Sequence, residues 1–130
     1  MTEGPFDAIG VYKALRAKKL DNKMLAAASF GMSFSVSQHQ DDQVNRLLEL
    51  RKRGLKRVYF LWDNEAPALK AALESCKKVL RYGFQPYLAV LKDAKDPGEA
   101  TTEQIMRAIN EAHPVTSQLQ AMMLERQLTK

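Results

Sequence analysis

The chain has 130 residues, 45% apolar and 27% charged, a balance suited to a single globular domain with a core of its own. Its 20 basic and 15 acidic residues leave a net charge of +5 and a sequence pI near 9.4, a mild bias toward nucleic acid or another polyanion. No apolar run approaches a membrane span, and a start that carries Glu3 and Asp7 does not read as a signal peptide. The single cysteine, Cys76, excludes an internal disulfide, and His39 and His113 lack cysteine companions at zinc spacing.

Residues 7–18 follow a helical apolar stripe, with Ile9, Tyr12, Ala14 and Leu15 expected to face the core. After a polar break at 20–23, residues 24–28 are expected to form a strand, stopped by the Gly- and Ser-containing loop 29–33. Ser35 or Ser37 then stands where it would cap a helix through Arg53, striped by Val44, Leu47, Leu48 and Leu50, with Gly54 as C-cap. Residues 57–62 join β-formers and large apolar residues without a polar break, the pattern of a strand covered on both faces in a parallel sheet. A helix with an early proline, Pro67, should run to Tyr82 and stop at Gly83. Residues 85–91 read as another strand and 92–99 as a polar loop. Thr101 or Thr102 caps a helix to Ala112, with Glu103 in its first turn; Pro114 breaks it, and 115–128 form a closing helix. Strands alternating with helices imply a mainly parallel α/β sheet with right-handed crossovers.

Asp63 and Glu65 close the central strand, where open α/β sheets hold their ligands. Residues i and i+2 of an extended chain share a side, and a divalent cation relieves the repulsion of two neighbouring carboxylates. The same pair also suits a helix start, with Asp63 as N-cap and Glu65 in the first turn. Glu3 precedes the first helix and Asp96 follows the last strand, so a parallel sheet would bring all these acids to its carboxyl edge.

These residues, in this order, resemble the Toprim domain shared by bacterial and phage primases, topoisomerases and some nucleases. Glu3-Gly4-Pro5-Phe6-Asp7 resembles the family's Glu-Gly-x-x-Asp, and Ala28-Ser29-Phe30-Gly31-Met32 its Ala-Ser-Leu-Gly-Thr loop, with Gln38 where the family often has Gln. Asp63-Asn64-Glu65 stands at its Asp-x-Asp, followed by Lys70-Ala71-Ala72 as in the primase helix. Lys95-Asp96-Pro97 resembles its Lys-Asp-Pro-Asp, and His113-Pro114-Val115 the break before the closing helix. The chain departs from the pattern at Glu65, at Gly98 in place of the last Asp, at Pro67-Ala68 where the family favours Ala-Gly, and at the first strand, for which only Met1 and Thr2 precede Glu3.

The resemblance implies one Rossmann-like domain over residues 1–130, a mainly parallel four-stranded sheet flanked by helices. Its first strand would be truncated or supplied from elsewhere, and residues 96–130 would form the closing loop and C-terminal helices. It implies the catalytic module of a DNA primase, making RNA primers by Mg²⁺- or Mn²⁺-dependent nucleotidyl transfer. In that reading Asp63 and Glu65 bind metal, with Asp96 as a further or water-mediated ligand. Glu3 is a ligand or general acid/base, Asp7 orients its neighbours, Gly31 supports the site and Lys95 contacts a phosphate. The partners implied are a single-stranded DNA template, nucleotides, and the remaining primase subdomains or a replicative helicase, with no membrane, in the cytoplasm of a bacterium or a phage-infected cell. Nothing in the chain resembles the primase zinc-binding or basic subdomain, so weak or no priming by this chain alone is expected. A Toprim-type nuclease and a non-catalytic module in DNA replication are the alternatives, the second encouraged by Glu65, Gly98 and the lost strand.

The basic cluster Arg51-Lys52-Arg53 with Lys56-Arg57 suits a helix end through the macrodipole, and equally a nucleic-acid backbone. Lys77, Lys78 and Arg81 read as a solvated helix face. Trp62 is expected in the core more readily than as a base-stacking platform. Met122-Met123-Leu124 reads as core packing or as a docking surface.

Overall fold

The computed structural model describes residues 1–2, 5–20, 22–24, 26, 43–94 and 96–128. In chain order its elements are α1 (Pro5–Ala17), α2 (Gln43–Lys52), β1 (Arg57–Leu61), α3 (Ala66–Arg81), β2 (Gln85–Ala89), α4 (Thr102–Asn110), β3 (His113–Pro114) and α5 (Gln118–Leu128). The chain is thus α/β, as its alternation implied. The expected strand 24–28 and loop 29–33, the Ser35 or Ser37 cap, and with them Gly31 and Gln38, lie wholly or largely outside the described residues. Of that strand Met24 and Ala26 are described, and neither is in a strand.

β1 and β2 run parallel, Arg57 opposite Gln85 and Leu61 opposite Ala89, joined by α3 as a βαβ unit. Alternation along β1 divides the core. Val58, Phe60 and Trp62 point to one side, where Leu47, α3, Val115 and α5 cover them; Leu61 points to the other, where α1 and α4 pack with Ala89 and Leu91. Only the carboxyl half of β1 is covered on both faces, since Arg57 is exposed and Tyr59 half-buried.

The four-stranded, mainly parallel sheet is not what forms: among the described residues the sheet has three strands in the order β1-β2-β3, and β3 is antiparallel to β2. The segment expected only to break two helices pairs instead, Pro114 beside Tyr87 and His113 beside Leu88, with Val115 N donating to Pro86 O at 3.0 Å. A proline fits because this is a two-residue edge strand. Pro86 is tolerated inside β2 because its carbonyl, and so its missing N–H, faces β3 rather than β1.

On the free side of β1, Met1 takes the place of a strand in miniature. Leu61 N donates to Met1 O at 2.8 Å, the Met1 amino group donates to Tyr59 O, and Thr2 is buried beside them. Burial lowers the pKa of that amino group from 8.0 to about 5.

Helix ends follow the local chemistry. Gly54 at φ +108° and Gly83 at φ +86° close α2 and α3 in the left-handed region that glycine tolerates. Thr101 and Gln104 form a reciprocal capping box at the start of α4, at 3.2 and 2.8 Å. Two expected core positions of α1 are not buried: Ile9 is 50% and Tyr12 46% exposed, while Val11, Ala14 and Leu15 carry the contact. Ala14 and Leu15 are buried as expected, in one cluster with Leu61, Ala89, Ile105 and Ala108.

Candidate metal centre at the carboxyl edge of the sheet

Three carboxylates from three distant segments meet beyond the carboxyl ends of β1 and β2. Asp7, Asp63 and Asp96 each bring one oxygen to within 4.8 Å of the others, all three half-buried. Asp63 arrives from β1, two residues past its end, with buried Trp62 as the anchor between them. Asp96 arrives from the loop after β2, and Asp7 from the first turn of α1.

Backbone N–H groups orient two of the three. Gly98 N donates to Asp7 Oδ1 at 3.0 Å, and Glu99 N donates to Asp96 Oδ1 at 3.0 Å. The turn at 96–99 thus holds its own acid and reaches across to the one on α1. Asn64 ties the two strand ends together, its Nδ2 donating to Leu91 O at 2.8 Å. Gly10 lets α1 lie against the turn: a Cβ there would stand 2.8 Å from Pro97 O and 3.4 Å from the Gly98 Cα. A glycine in the middle of a helix is unfavourable by about 1 kcal/mol relative to alanine, and this close approach is its reason.

Glu65 is not in the cluster. Residues i and i+2 share a side only while the chain is extended, and here it bends, Glu65 N donating to Asp63 O at 2.9 Å. Glu65 becomes the N-cap of α3 without a side-chain capping bond, and is exposed. Asp63 is not the cap of α3. Glu3, Gly31 and Lys95 lie outside the described residues. Arg51, Lys52 and Arg53 are described, at the opposite edge of the sheet from the acids. Trp62 is core, 1% exposed and edge-on to Phe60 with centroids 6.3 Å apart; it sits on the face of β1 opposite Asp63. Leu119, Met122 and Met123 are exposed on α5 at 67%, 46% and 57%, and Leu124 alone of the Met122-Met123-Leu124 run is buried.

Sequence reasoning missed the weight of Asp7 and the parts played by Asn64 and Gly10. The glycine was findable, since an isolated Gly inside a helical stripe marks either a weak helix or a close neighbour. No helix among the described residues is long and apolar enough to cross a membrane. Compared with protein-family models, curated proteins and solved structures, the chain matches none.

Proposed function

We propose that this chain is a Toprim-like catalytic module of a DNA primase, one part of a larger enzyme that extends RNA primers on a single-stranded DNA template in the cytoplasm. The observation that carries the reading is the convergence of Asp7, Asp63 and Asp96, drawn from the segments that the Toprim resemblance nominates, at the sheet edge where α/β folds bind ligands. The donor set fits a hard divalent cation: carboxylate oxygens only, half-buried, few enough to leave coordination positions for water and substrate.

Asp63 and Asp96 hold Mg²⁺ or Mn²⁺ in this reading and Asp7 joins them, while Glu3 keeps the part the Toprim resemblance gives it, a ligand or general acid/base. When bound, the cation neutralises the triphosphate and lowers the pKa of the attacking hydroxyl. The protein's own part is positional. The turn at 96–99 and the Asn64 bond to Leu91 hold the carboxylates in place before substrate arrives. The same constellation serves a Toprim nuclease, which differs in using water as the nucleophile.

The test is a Mg²⁺ and Mn²⁺ titration followed by amide NMR, wild type against Asp63→Asn. Saturable shifts at Asp7, Asp63, Asp96, Gly98 and Glu99, weakened about tenfold or more in the variant, are expected. The rise in Tm that metal gives the wild type is expected to disappear in the variant. Absence of saturable shifts, or shifts unchanged by Asp63→Asn, would sink the metal site and the primase reading with it.

A further inference from the structure

The amino edge of the sheet carries the chain's excess positive charge. α2 ends on Arg51 and Lys52, Arg53 follows in its closing turn, Lys56 and Arg57 lead into β1, and α3 ends on Arg81. Because β1 and β2 are parallel and each is entered from a helix, both helix ends and both strand starts share one edge. Contacts bind them into one surface. Arg51 Nη1 donates to Tyr82 O at 2.8 Å, and Gln85 N donates to Lys56 O at 2.8 Å. The Arg51 guanidinium also fills the space beside Gly83, 2.9 Å from where a Cβ would stand.

All six cations are exposed. Lys52 pairs with Glu49 at 3.2 Å, whereas Arg53, Lys56, Arg57 and Arg81 have no carboxylate partner among the described residues. Six cations set against Glu49 equal the +5 of the whole chain, so the remainder of the protein is formally neutral. The helix macrodipole explains only a small part of this. Each C-terminus carries about half a negative charge, and two of them account for about one cation. The surface also holds aromatic rings. Half-buried Tyr82 lies between Arg81 and Gly83, and Tyr59, on the same sheet face as Arg57, stacks on Tyr87 with centroids 4.6 Å apart and planes at 11°.

We propose that this edge is a docking surface for single-stranded nucleic acid, separate from the acidic cluster, with Arg53, Lys56, Arg57 and Arg81 on its phosphates. Charge complementarity selects a polyanion, and the tyrosines offer ring surface that unpaired bases can use and a closed duplex cannot. Arg51 is a positioning residue: its guanidinium joins the ends of α2 and α3. The strand and its extension, from Arg57 to Asp63, set the two surfaces about 20 Å apart. Binding at the amino edge therefore needs no divalent cation and stands or falls independently of the metal reading.

The experiment is fluorescence anisotropy of a labelled oligothymidylate with the full chain, in EDTA, over a series of salt concentrations. The expected result is binding in EDTA with a log–log salt slope of about −3, as four phosphate contacts on a single strand give. The combined variant Arg53→Gln, Lys56→Gln, Arg57→Gln, Arg81→Gln should lose roughly tenfold or more and flatten the slope. Lys13→Gln with Lys70→Gln, exposed cations elsewhere, should leave binding within about twofold. Circular dichroism and thermal melting confirm that the exposed substitutions keep the fold. Any of four results overturns the proposal: no binding by the wild type; equal loss in the Lys13/Lys70 control; tighter binding to the matching duplex; or binding to anionic phospholipid vesicles but not to the oligonucleotide.

Discussion

Cys76 lies on the inner face of α3 with no exposed surface, and burial raises its thiol pKa from 9.0 to about 12. At neutral pH that leaves about a thousandfold less thiolate than an unperturbed cysteine would have. The residue is a small apolar packing element, as its helical position implied, and not a nucleophile. A thiol reagent at pH 8 should label the native chain slowly, and at the rate of a free thiol once denaturant is added. Rapid labelling of the native protein would place Cys76 elsewhere. Asp63 makes the complementary point. Its sequence position suits a metal ligand or a helix cap equally well; the bend at Glu65 puts the cap two residues later, so Asp63 is not the cap.

Among elements, the decisive contact is α1 against the turn at 96–99. Its closest point is Gly10 facing Pro97 O, and its polar clasp is Gly98 N on Asp7 Oδ1. Gly10→Ala opposes two effects. Alanine favours the helix by about 1 kcal/mol, while forcing a Cβ against a backbone carbonyl costs about 1–3 kcal/mol. Since backbone cannot swing aside as a side-chain tip can, we expect net destabilisation of about 1 kcal/mol in urea unfolding, and weaker Mn²⁺ affinity as Asp96 is pushed from Asp7. A stabilised variant with unchanged metal affinity would show that α1 and the turn do not touch in this way. The helix and strand identities themselves were legible: an unbroken apolar run for β1, a proline-led stripe for α3, glycines at both helix ends. The two-residue β3 was not, because so short a pairing has no period of its own and forms only because β2 offers it an edge.

For the molecule as a whole, the amino group at Met1 ties stability to pH. Met1 is half-buried as a residue, while its amino group is enclosed against β1 with a pKa of about 5. Between pH 5 and the unfolded value of 8.0 the amino group is protonated in the unfolded chain alone, so its contribution to stability rises with pH across that window and is flat on either side. Urea unfolding should therefore give a larger free energy near pH 8 than near pH 5, by up to about 4 kcal/mol, and the Nα-acetylated chain should lose that dependence. Equal slopes for the two forms would mean that the amino group is solvated in the folded chain.

The sequence by itself determined the α/β class, the order of the main elements and the placement of the acids after strands and at the start of the first helix. Each of these is written in local periodicity and turn chemistry. Only the tertiary structure decided that Asp7 rather than Glu65 joins Asp63 and Asp96, that Met1 pairs with the free side of β1, and that the basic residues gather at the far edge from the acids. Those outcomes depend on which distant backbone atoms come within hydrogen-bonding reach, and no local pattern in the chain encodes that distance.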